Sequence, residues 1–129
     1  MFTRFLVAGL AVAATLAGGP ALAWRSSNGF IVNRTGELQF EVQSRGGLGP
    51  SNAWCAAGDF VIRNLGLPTN TRIWRASPPP QKAGKPILFT LSPEDRHYAT
   101  GLAQIGGSGG AMTAGLAQQI CWTLGEPFE

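Results

Sequence analysis

His97 is the only histidine in the chain, so any hydrolysis that needs an imidazole base must run through it. Asp95 precedes it closely and Asp59 lies well upstream. With a serine alongside, His97 and either carboxylate could supply the base and orienting acid of a nucleophilic triad. Ser26, Ser27, Ser77 and Ser108 are the candidate nucleophiles, but none sits in a nucleophile-elbow sequence. Composition alone offers such a set in most chains. The competing reading of His97 is a surface side chain at a strand start, after the charged turn Pro93-Glu94-Asp95-Arg96.

Metal chemistry has little to work with. A zinc site needs three or four convergent ligands, and the chain holds one histidine and two cysteines. Glu94-Asp95 is the only adjacent acidic pair, and a solvated turn explains it. The glycine-rich run at 106–110 stands before a helical segment, where backbone N–H groups attract anions. It lacks the Lys-Ser/Thr ending of a phosphate loop. A dinucleotide fingerprint starting at Gly107 would put its third glycine at Met112. The run therefore reads as a connector, and neither a metal nor a cofactor is expected.

A different chemistry is conceivable around Trp74. Arg72 and Arg75 flank it, and the Pro-rich segment 77–86 that follows carries Lys82 and Lys85. A water-facing Trp74 would give a stacking plane with anion donors beside it. Half-buried packing at a sheet edge is the competing reading. Trp54 and Trp122 each neighbour a cysteine, so packing around a sulfur bridge is their default role.

These residues must be held by a few short elements. Leu38, Phe40 and Val42 alternate with Glu37, Gln39, Glu41 and Gln43, the period of a half-buried strand. Phe30-Ile31-Val32 supplies its hairpin partner, with the turn at 33–36. From Asn52 to Leu65, Trp54, Val61 and Leu65 recur at helical spacing, behind Ser51 as N-cap. Gly66 and Pro68 end that helix. Gly58 inside it costs about 1 kcal/mol relative to alanine, which implies close packing against a strand. Strands follow at 71–76, 87–91 and, more weakly, 97–105. Leu116, Ile120 and Leu124 mark a final helix over 113–124. The order β-β-α-β-β-β-α predicts an α+β fold, a mostly antiparallel sheet with two helices on one face.

The N-terminus reads as an export signal. Arg4 is followed by the apolar run Phe5–Ala17, a Gly18-Gly19-Pro20 break and the cleavage pattern Ala21-Leu22-Ala23. The run is shorter than the roughly 20 residues a span requires, so no stable membrane span is expected after cleavage. The expectation is a signal peptide at 1–23 and one small domain at 24–129, periplasmic or extracellular. All but one of the ten Lys and Arg remain in that domain. Its net charge of about +2, with no basic cluster, argues against a nucleic-acid partner.

Cys55 and Cys121 are the only cysteines. In an oxidising compartment they have each other as their one intramolecular partner. Each lies on one of the expected helices, so the bridge would tie both helices over the sheet. A Cys-x-x-Cys redox motif is excluded by the spacing.

The run Trp54-Cys55-Ala56-Ala57-Gly58-Asp59-Phe60, leading into Leu65-Gly66-Leu67-Pro68, resembles a group of small, uncharacterised exported bacterial proteins. In that group a Trp-Cys-Ala-Ala helix is paired with a second cysteine near the C-terminus. The resemblance implies the same disulfide here and brings no function or catalytic residue with it. The leading expectation is a non-catalytic exported binding or envelope-associated module, whose partner is another exported or envelope protein. The alternatives are a small secreted hydrolase using His97 with Asp95 or Asp59, and an inhibitor or subunit docking through the 77–86 loop.

Overall fold

A computed structural model describes residues 23–102 and 110–123. The expected signal segment, apart from Ala23, lies outside the described residues. So do the glycine connector at 106–109 and the C-terminal stretch 124–129.

The hairpin forms where the alternation places it, with a displaced turn. β2 (Ile31–Arg34) pairs with β3 (Gln39–Val42), Val32 opposite Val42 and Arg34 opposite Phe40. Asn33 and Arg34 are thus strand residues, and the turn moves to 35–38. There the Thr35 and Gly36 N–H groups both donate to the Gln39 carbonyl. Arg34 donates to the carbonyls of Gly36 and Glu37. Leu38, expected to be buried beside Phe40 and Val42, falls in this turn and is 45% exposed.

A short β1 (Trp24–Arg25) extends the hairpin along β2. β4 (Arg72–Arg75), β5 (Ile87–Thr90) and β6 (Met112–Thr113) complete a six-stranded sheet in the order β1-β2-β3-β5-β4-β6. Every pairing is antiparallel. The last strand is not the one expected at 97–105. Of that stretch only His97 joins the sheet, by a single bridge to Arg75, and 103–105 lie outside the described residues. Gly101 has φ +85°, a left-handed turn that breaks the extended run. Met112–Thr113 takes the sheet edge instead.

The first helix, α1, spans Pro50–Asp59 and so starts earlier than expected. Its N-cap is Gly49, without a side-chain cap, and Ser51 lies inside the helix. Pro50 occupies the first turn, where its missing N–H costs nothing. Past Asp59 the backbone widens into a π-helical turn over Phe60–Asn64, closed by Leu65 N–H donating to the Phe60 carbonyl at 3.0 Å. Gly66, at φ +70°, ends it as expected. The second helix, α2, spans Ala114–Thr123. Thr113 caps it, its Oγ1 accepting from Leu116 N–H.

Both helices cover one face of the sheet. Directly paired residues of neighbouring strands point the same way, so Val32, Val42, Phe40, Ile87 and Phe89 share the helix side. All five are buried. An aromatic row links the layers, Trp24 to Phe60, Phe60 to Phe40, Phe40 to Phe89 and Phe89 to Trp54. Trp54 is fully buried. Trp122 is not part of this packing; it is 61% exposed, its position beside Cys121 turning it outward. Cys55 and Cys121 are bonded, with Cα atoms 4.9 Å apart. Gly58 faces α2 rather than a strand, against Ala114, Ala117 and Gln118. The helices therefore run antiparallel, with one cysteine of the bridge on each.

Asp59 joins three segments. Its carboxylate accepts from Ser27 N–H at 2.8 Å, Gln118 Nε2 at 3.1 Å and Arg63 Nη1 at 3.2 Å. It is 1% exposed. Asp59→Ala strands the Ser27 and Gln118 donors, whereas Arg63, largely exposed, can turn to water. The expected loss is about 2 kcal/mol in urea unfolding, with faster hydrogen exchange at the Ser27 amide. An unchanged midpoint and unchanged exchange would remove Asp59 from this role.

Candidate functional site

Among the described residues, the expected hydrolytic set is not assembled. His97 N–H donates to the Arg75 carbonyl at 2.7 Å. Its imidazole Nδ1 accepts from the Ala99 N–H at 3.2 Å. Asp95 sits in a 3-10 turn (Pro93–Asp95) and accepts from Gln39 Nε2 at 2.9 Å. Asp59 is engaged under the helices. Ser26 is buried and bonded to Asn28. Ser77 Oγ accepts from Leu88 N–H at 3.0 Å and from Arg75 Nη2 at 3.3 Å. Ser108 lies outside the described residues. Among the described residues, no hydrogen bond joins His97 to a carboxylate or a serine hydroxyl. The acidic pair is similarly occupied, with Glu94 accepting from Ser92 Oγ at 2.8 Å. Among the described residues, no group of three or more potential ligands stands together to hold a metal.

The Trp74 surface is also rearranged. Successive strand residues face opposite sides, so Trp74 and Arg75 cannot serve one surface. Arg75 pairs with Phe89 and so points to the helix side, while Trp74 pairs with Thr90 on the far side. Trp74 is 8% exposed and offers no open stacking plane. Arg72 is exposed at the start of β4, and Lys82 and Lys85 are exposed in the β4–β5 connection. That connection has a fixed base and a compact tip. Ser77 Oγ holds the base to β5. At the tip Lys85 N–H donates to the Lys82 carbonyl at 3.0 Å, with Gly84 at φ +78° completing the turn.

Two features escape sequence reasoning. One is the Arg96–Tyr98 pair. The guanidinium lies 4.8 Å from the ring centroid and donates to the phenol oxygen at 3.0 Å. With Pro93 and Glu94 these residues line an open, shallow cavity of about 330 Å³. The other is the burial of Arg75, which is 1% exposed beneath the 99–102 segment. Its signal is the period of β4, since Ile73 and Arg75 fall on the same face and Ile73 is core.

No family model, curated protein or solved structure matches the chain.

Proposed function

We propose that the chain is an exported, disulfide-braced binding module without catalysis, and that the 77–86 connection is its docking edge. The observation that carries the reading is the presentation of Lys82 and Lys85. Both stand exposed on a hydrogen-bonded turn whose base is tied to β5. A preorganised turn loses little conformational entropy on binding, so its two cations are ready for an acidic surface. The bridge supports an oxidising compartment. No helix of the described residues is long and apolar enough to cross a membrane. The export pattern at 1–23 supplies the address, and the partner is another exported or envelope protein. The hydrolase alternative has less support, because His97, Asp95 and Asp59 each hold a separate piece of backbone or side chain.

The test is capture of partners from the exported fraction by the folded protein and by the Lys82→Glu/Lys85→Glu double variant. Both residues are exposed, so the variant is expected to keep its melting temperature and to lose at least about tenfold in binding. Equal capture by both proteins would remove the loop from the interface. Intact mass on the same sample reads out signal removal and the two hydrogens lost on bridging.

A further inference from the structure

We propose that the Arg75 guanidinium anchors a binding site for a small carboxylate, which enters by displacing the Thr100–Gly101 peptide that covers it. This rests on the reading of the chain as a binding module and names a ligand class for it. Arg75 is 1% exposed. A guanidinium carries five N–H donors. Here Nη1 reaches the Thr100 carbonyl at 3.5 Å and Nη2 reaches Ser77 Oγ at 3.3 Å, both long, while Nε has no partner among the described residues. Among the described residues, the one ion pair is Arg63–Asp59, elsewhere in the fold. A buried cation so poorly answered is expensive unless an anion joins it. Its burial pulls the guanidinium pKa below the ordinary value, in keeping with that cost.

The surroundings fit a carboxylate. The Thr100 carbonyl oxygen accepts from Arg75 Nη1 and from the Trp54 indole N–H, the latter at 2.9 Å. A carboxylate oxygen in its place would meet both donors. The planar fork of Arg75 matches a planar, singly charged acid. Pro50 and Pro79 flank the spot, each with its β-carbon 3.5 Å from where a β-carbon on Gly101 would stand. These apolar walls disfavour a dianion such as phosphate, whose desolvation costs more. Pro50 opens α1, whose N-terminus has no side-chain cap and adds a positive dipole end on the same side.

Few hydrogen bonds hold the covering peptide, while Leu102 at its end packs against the core. Among the described residues, Ala99 and Leu102 N–H donate only to His97 Nδ1 and Thr100 Oγ1, within the segment. Among the described residues, hydrogen bonds from 98–102 to the helices or the sheet run through the Thr100 carbonyl alone. Gly101 permits the close cover, since a β-carbon there would stand 2.6 Å from Arg75 Nη1.

The test is an NMR titration of the exported, oxidised protein with sodium acetate at constant ionic strength. Neutral acetamide and inorganic phosphate are run in parallel. The assigned Trp54 indole N–H and Gly101 amide report displacement. Saturable shifts with acetate, none with acetamide and weaker ones with phosphate are expected. Arg75→Met should abolish them, and Arg75→Lys, which keeps charge without the fork, should weaken binding roughly tenfold. If Arg75→Met does not fold, the acetate–acetamide contrast and Arg75→Lys decide. No saturation by about 100 mM acetate, a millimolar affinity being the weakest of interest, would overturn the proposal. So would phosphate binding as tightly as acetate. Failure of the lysine-loop capture leaves this titration interpretable, and the reverse holds.

Discussion

Replacing Cys55 and Cys121 by alanine lowers the stability of the folded domain by about 4 kcal/mol and its melting temperature by roughly 20 °C. The cause lies mainly in the unfolded chain. The bridge joins positions 66 residues apart, so it removes much of the freedom of an unfolded chain this size. A small domain holds about 5–15 kcal/mol in total, and this one has a single layer of two short helices on its sheet. The bond also fixes the helix pair at one point, since each helix carries one of the sulfurs. Thermal unfolding with and without a reductant, beside the double alanine variant, gives the measurement. Reduction and substitution should agree. A shift of less than about 5 °C in both, corresponding to roughly 1 kcal/mol, would mean that packing alone holds the helices.

The brace was legible because two cysteines, in the oxidising compartment the N-terminal pattern leads one to expect, have one possible pairing. The α+β class was legible too, since period two at Phe40 and Val42 and period 3.6 from Trp54 to Leu65 differ plainly. What escaped depends on partners distant in the chain. The register of β2 on β3 pairs Arg34 with Phe40, which moves the turn and strands Leu38 in it. Local alternation cannot choose between registers. The Trp74 surface does not form for a local reason: adjacent strand residues face opposite sides of the sheet. Applied to β4, the same period two puts Arg75 beside Ile73, inside the core. Burying an arginine that has no ion pair among the described residues departs from composition-based expectation, and such a departure from the usual rules marks a site worth testing. The strand expected at 97–105 failed at Gly101, whose positive φ serves a close approach to Arg75 rather than an extended ladder.

Gly58→Ala destabilises the domain by about 3 kcal/mol, against the sign of helix propensity. On an isolated helix the change would stabilise by about 1 kcal/mol. Here the new β-carbon would stand 2.6 Å from the Gln118 backbone nitrogen, 2.7 Å from Ala117 Cβ and 2.8 Å from the Ala114 carbonyl oxygen. Two of these are backbone atoms and cannot rotate away, so α1 and α2 must part. Parting is resisted at both ends of α2. Cys121 is bonded to Cys55, and the N–H groups of Ala114 and Gly115 donate to the carbonyls of Thr71 and Thr69, each at 2.8 Å. The strain therefore falls on the middle, where Gln118 reaches Asp59 and Ala114 and Ala117 enter the core. Sequence alone shows the cost of a mid-helix glycine but not its purpose, because the atoms it makes room for lie some 60 residues later. Urea unfolding decides the sign, and a variant more stable than the parent would refute the close helix contact. Ala117→Gly in the Gly58→Ala background should recover only part of the loss. It removes the methyl clash and leaves the Gln118 nitrogen and the Ala114 oxygen in place.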